Sequence, residues 1–129
     1  CIGRDLHALH DPTEGGLATG IREIAIAAGT GVVVDRDQIT VYPETIAICD
    51  LLEIDPLGLI ASGALLAAVE PSRSDEALAT LERAGIAASQ IGTLVEDASA
   101  VRMRHNGLET DLPVFAVDEI ARLFSTNQD

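Results

Sequence analysis

"HDPTEGGLATG", residues 10–20, stands at the head of the most helix-like stretch of the chain, and its reading decides the fold of the first half. Before it, Ile2 to His10 has the pattern of a short strand. After it, Leu17, Ile21, Ile24, Ala25 and Ala28 recur at helical spacing, with Arg22 and Glu23 between them, and Gly29 ends the helix. Inside it, Asp11 suits an N-cap, Pro12 the first helical position and Glu14 the acid of a capping box. Gly15 and Gly16 then fall in the first turn, where each costs roughly 1 kcal/mol relative to alanine. Two readings account for them. They permit close packing of the helix start, or they let a ligand or a neighbouring domain reach the backbone, where free N–H groups and the helix dipole favour an anion.

Outward from this stretch, helical and strand patterns alternate. "GVVVD", 31–35, is a β-branched strand, followed by a connector with some strand character. Pro43 opens a second helix through Leu52, which "DPLG" at 55–58 breaks. "ALLAAVE", 64–70, reads as a buried strand after the Ser62-Gly63 turn. A third helix runs from about Ser74 to Ala84, and "QIGTLVE", 90–96, is a strand. "VRMRHNGLETDL", 101–112, alternates on both sides of Asn106-Gly107, the signature of a type I′ hairpin. "VFAVDEIARLF", 114–124, closes the pattern as an amphipathic helix, with a polar tail after it. The expected fold class is α+β, a layered mixed β-sheet with packed helices.

Composition bounds the function. The 129 residues have the size of one domain, and 47% are hydrophobic but only 2% aromatic, so the core is aliphatic. Eight basic residues against 21 acidic ones give a net charge of −13, which repels a phosphate backbone and opposes nucleic acid as a partner. A nucleotide is still compatible, because backbone N–H groups at a helix start hold phosphate without basic side chains. Cys1 and Cys49 form no disulfide framework or metal spacing, which points to a reducing, cytoplasmic setting. The longest uncharged run, Pro56 to Val69, is too short for a membrane span. The chain opens on Cys1, and the expectation is the C-terminal part of a longer polypeptide.

Each candidate side chain has a plain reading beside a functional one. Asp11 is a cap, or a carboxylate for Mg²⁺ and phosphate-bound water. Thr13 is a cap or a phosphate contact. Glu14 is a solvated acid or a metal ligand, and it repels phosphate unless a cation lies between. His10 beside Asp11 is a weak catalytic candidate. His7 and His10, three apart on a strand, fall on opposite faces and lack a third ligand. Cys49 lies in an apolar helical pattern and reads as inert core. Ser62 lacks a nucleophile elbow, and Arg102 and Arg104 read as solvated. No complete active site assembles, and a standalone hydrolase built on His10 and Asp11 has no nucleophile.

The strings "DPTEGGLATGIREIAIAAGTGVVVD" and "PETIAICDLLEIDPLGLIASGALLAAV" resemble the C-terminal domain of the aminoimidazole-ribonucleotide synthetase superfamily. That group includes selenophosphate synthetase and the hydrogenase-maturation protein HypE, and the strings are similar to its HypE-like and uncharacterised synthetase-related branch. The resemblance implies a chain, 1–129, forming one C-terminal domain that closes over an ATP and Mg²⁺ site of an N-terminal ATP-binding domain outside this sequence. It places Asp11, Thr13, Gly15 and Gly16 near phosphate, with Asp11 and Glu14 as metal candidates. It implies a homodimer, an ATP-dependent synthetase-like or phosphotransfer enzyme acting on a small-molecule or protein substrate, and no tight nucleotide binding by this chain alone. Two departures stand out. HypE-type proteins usually carry Arg where this chain has Glu14, and they end in a Cys-containing tail, where this sequence ends in "STNQD". The alternatives are a HypE-type hydrogenase-maturation factor and a non-catalytic binding or dimerisation module.

Overall fold

In the computed structural model, which describes residues 3–126, one helix bridges two sheets. Strands β1 (Leu6–His10) and β3 (Leu66–Val69) pair antiparallel as a two-stranded sheet, with a bulge in β1 between Leu6 and Ala8. The second sheet has four strands. Its β2 (Gly31–Asp35) lies between β4 (Gly92–Val95), antiparallel, and β5 (Val101–His105), parallel, and β6 (Leu108–Asp111) adds to β5 antiparallel. The bridging helix is α1 (Gly16–Ala28); α2 (Pro43–Leu52), α3 (Ser74–Arg83) and α4 (Glu119–Thr126) complete the set. The fold is α+β, as the interleaved pattern predicts.

Local chemistry explains the central pieces. The β-branched run of β2 takes an inner position in the sheet and buries Val32 and Val34. Asn106 and Gly107 both have positive φ, 50° and 77°, which is the type I′ geometry the hairpin needs. Alternation along β5 sends Met103 into the core. Arg102 and Arg104 carry ion pairs instead of standing free in water: Arg104 Nε donates to Glu109 Oε2 at 2.9 Å, and Arg102 pairs with Asp111 across the hairpin. The core joins Ala18, Ile21 and Ala25 of α1 to Val32, Val34, Met103, Leu57, Leu66 and Leu112.

Four expectations are corrected. The helix does not begin under an Asp11 cap; it begins at Gly16, with left-handed Gly15 at the N-cap and no side-chain cap. Pro12 explains the delay, because it is buried against Gly20 of the helix instead of forming its first turn. The connector after β2 is a 3₁₀ turn over Arg36–Gln38, with no strand. The 64–70 segment is a strand only over 66–69, and Leu66 alone is buried in it, because it has one partner strand. The last helix starts at Glu119, not at Val114. Asp118 Oδ1 accepts from the Ile120 N–H at 2.9 Å and starts the helix there, while Leu112 and Phe115 before it pack on the core.

The two glycines now have a packing role. Gly16 is buried with φ +71°, and a Cβ there would lie 2.5 Å from the carbonyl oxygens of both Leu57 and Leu59. The helix start therefore rests directly on the backbone of the 3₁₀ turn Pro56–Gly58. Gly29 has a similar φ, +67°, but open space around it. Gly29→Ala should cost about 1–2 kcal/mol from the left-handed backbone alone. Gly16→Ala should cost about 2–5 kcal/mol, because overpacking against fixed backbone adds to the same strain. Urea unfolding of the two variants measures the difference; equal losses would mean that the Gly16 contact is soft.

Candidate functional site

The 11–15 loop is fixed underneath and open above. Underneath, Pro12 is fully buried, its carbonyl accepts from the Ala61 N–H at 3.3 Å, and Gly16 sits on residues 57–59. The Thr13 N–H donates to the Asp11 carbonyl at 2.9 Å and tightens the loop. Above, Asp11, Thr13 and Glu14 are exposed, and their side chains make no hydrogen bond or ion pair among the described residues. Two carboxylates and a hydroxyl thus stand free on a rigid base. The chain segments next to the loop expose aliphatic side chains: Leu9 at 56% before it, Ile60 at 55% beside the Ala61 that bonds to Pro12, and Leu65 at 63% beside the Leu66 that pairs with His10.

His10 ends β1 beside this loop. Its Nε2 lies 2.6 Å from Glu23 Oε2 on α1. The sequence places Glu23 only as a polar residue between apolar ones. What it lacks is the fact that β1 delivers His10 alongside the second turn of α1. His7 pairs separately, with Glu70 at 3.3 Å, so the two histidines serve different carboxylates. No group of three or more His, Cys, Asp or Glu side chains suited to a metal occurs among the described residues. Asp11 and Glu14 are therefore at most part of a cation site, with other ligands supplied by a bound molecule or another domain.

Gly15 and Gly16 differ in what they offer a ligand. Gly15 is half-buried, and a Cβ there would meet Thr19 Oγ1 at 2.6 Å. Gly16 is covered by residues 57–59, so the room left by its missing side chain is filled by the protein itself. Cys49 is buried, and burial pushes its thiol above the usual range, which fits inert core. Ser62 stands exposed on a turn.

A second polar cluster joins the hairpin tip to the turn after β2, and sequence reading missed it. Asp37 Oδ1 lies 2.6 Å from His105 Nδ1, and Asp37 Oδ2 accepts from the Asn106 N–H at 3.1 Å. The Asn106 N–H first, and His105 second, hold the Asp37 carboxyl below its usual range. Its signal is weak, because residues 37 and 105 become neighbours only through the parallel β2–β5 pairing.

Known proteins set these features in a family. The model of the AIR synthase related protein, C-terminal domain, matches residues 1–104. The carbamoyl dehydratase HypE of Cupriavidus necator is 39% identical over 94 residues, covering 71% of this chain and 27% of that protein. A solved hydrogenase maturation protein HypE in complex with ATP superposes with a TM-score of 0.80 at 30% identity, covering 89% of this chain and 37% of its own. A HypE–HypF complex gives 0.81 at 25% identity, covering 88% and 38%. The chain thus spans between about a quarter and two-fifths of the length of these relatives. It belongs to the AIR synthase-related C-terminal-domain family. Within that family it falls on the HypE-like branch. No described helix is long and apolar enough to cross a membrane.

The Asp37 cluster yields a pH dependence. Its carboxyl titrates lower folded than unfolded, so its stabilisation is complete above the usual carboxylate range and is lost as pH falls through the folded value. The protection of the Asn106 amide, the ratio of its intrinsic to its observed exchange rate at the same pH, should fall on acidification of the native chain, and already at neutral pH in Asp37→Asn. Protection unaffected by both changes would show that the hairpin tip is held by other contacts.

Proposed function

We propose that this chain is the C-terminal domain of an ATP-dependent enzyme and closes over an ATP and Mg²⁺ site carried by an N-terminal domain of the same polypeptide. The observation that carries this reading is the free pair of carboxylates, Asp11 and Glu14, flanking Thr13 on a loop anchored by Pro12 and Gly16. Hard oxygen donors on an exposed loop suit Mg²⁺, which keeps most of its shell for water and phosphate and takes only one or two carboxylates from protein. The residues therefore fit the cofactor. Asp11 and Glu14 would hold the cation, Thr13 would donate to a phosphate oxygen, and the half-buried Gly15 would offer its backbone nearby. Gly16 acts by placing the loop. Bound ATP would supply the phosphoryl group that activates a carbonyl or amide oxygen of a small-molecule or protein substrate.

His10 completes the arrangement. Glu23 orients its ring, and a carboxylate-held imidazole beside Asp11 can take or give a proton at the rim of the loop. The exposed Leu9, Ile60 and Leu65 suit a covering domain that excludes water, and a homodimer would bring further cover. Residues 1–129 would act as one domain, since Leu112 and Phe115, beyond the matched 1–104, pack into the same core. The cytoplasm would supply the ATP.

A narrower reading has support of its own. The relatives are carbamoyl dehydratases HypE, one of them solved with ATP and another as a complex with HypF, which favours a HypE-type hydrogenase-maturation factor that assembles with a HypF-like protein. Both readings require nucleotide turnover.

The test uses the full-length polypeptide. Asp11→Asn should lower kcat for ATP hydrolysis at least about tenfold and raise the Mg²⁺ requirement, while the urea midpoint stays put because the exposed side chain makes no hydrogen bond or ion pair. Unchanged turnover would take Asp11 out of the cation site, whereas a full-length polypeptide that hydrolyses no ATP would favour the non-catalytic module.

A further inference from the structure

Beyond Gly85 the chain turns back along α3, and the helix, this return and Thr40 line an open groove of about 530 Å³. Asp75, Leu78, Ala79 and Glu82 form one wall; Ile86, Ala87, Ala88 and Thr40 form the other. The return is tied down at its far end, where Ser89 Oγ donates to the Gln38 carbonyl at 2.8 Å and Ser74 Oγ donates to Gln90 Oε1 at 3.0 Å. The groove is thus a feature of a fixed backbone.

The helix has two distinct faces. Ala77 is buried and Leu81 half-buried, so that side rests on the protein. Positions 75, 78, 79 and 82 share the opposite face at helical spacing, with an acid at each end and apolar side chains between. Asp75 and Glu82 make no hydrogen bond or ion pair among the described residues, whereas Glu76, off this face, pairs with Arg73 at 2.8 Å. Asp75 in the first turn complements the helix dipole. Glu82 in the last turn opposes it, so its sign is unfavourable for the helix itself. Ile86, across the groove, is 54% exposed.

We infer that this groove docks a basic amphipathic helix of a partner protein. The argument is charge complementarity combined with shape. Two unneutralised carboxylates, about 10 Å apart along the helix axis, bracket an apolar stripe. Their match is a partner helix with Lys or Arg seven residues apart and aliphatic side chains between. No basic residue of the groove wall competes for them. The net charge of −13 draws a cationic segment in from a distance, and the two carboxylates repel the same acidic groove of a second copy.

The probe is a helical peptide with two arginines seven residues apart and leucines at the third and fourth positions between them, with a twin carrying glutamates for the arginines. Titrated into the isotope-labelled full chain, the arginine peptide should shift the amides of Leu78, Ala79 and Ala87, and its affinity should fall with added salt. Glu82→Lys should weaken it at least about tenfold, and Glu82→Gln less, with an otherwise unchanged amide spectrum. Four results would overturn the inference. They are equal binding of the glutamate twin, shifts centred on the exposed side chains of α2, affinity unaffected by Glu82→Lys, or groove shifts that grow with chain concentration in the absence of peptide.

Discussion

The rest of the structure depends on the seat of Gly16 on the backbone of residues 57–59. It sets where α1 begins, because the chain can approach Leu57 and Leu59 that closely only without a Cβ and with a left-handed backbone. It draws Leu57 beneath the helix, where that side chain joins Ala18, Ile21 and Ala25 in the core. Through α1, the same contact connects the two-stranded sheet to the four-stranded one, which share no strand pairing. A shift at this contact would therefore disturb the seam between the halves before it disturbed either sheet.

The surplus of acid is distributed in a way that composition alone does not reveal. Most basic residues are used locally. Arg36 makes a two-pronged pair with Asp55, Arg122 with Glu119, and Arg102 and Arg104 pair along the hairpin. Such pairs at the surface contribute little stability each. Their effect is to leave particular acids without partners. Glu44, Asp50, Glu53 and Glu96 stand singly in this way, whereas Asp11 with Glu14 and Asp75 with Glu82 form two pairs that differ in setting. The first stands on a polar loop suited to a hard, hydrated cation. The second brackets an apolar stripe suited to an organic one.

The sequence was most informative where one residue dictates one backbone geometry. Asn106-Gly107 forces its hairpin, and the Val run of β2 finds an inner strand position. It misled where a local preference lost to tertiary contact. Asp11 and Pro12 have the chemistry of a helix start, yet burying Pro12 against Gly20 postponed the helix to Gly16. Val114 to Val117 have helical spacing, yet laying Leu112 and Phe115 into the core held that segment out of helix until Asp118. Of the site, the exposed loop residues were legible as a motif. The pairing of His10 with Glu23, and that of Asp37 with His105, were not, because each joins residues whose proximity only the fold creates.

As a sequence motif, Gly15-Gly16 offers a choice between packing and ligand binding, but geometry makes these consecutive steps. A loop whose base is pinned by a buried proline and a glycine without room for a methyl group has little freedom to fold its carboxylates inward. Asp11 and Glu14 stay solvated, where water's high dielectric keeps their mutual repulsion small. On the proposed function, a surface covering the rim would remove that water, the same repulsion would grow severalfold, and a cation between the two carboxylates would become the favoured state. The packing of Gly16 would thus hold ready an acidic loop whose affinity for a cation rises on closure.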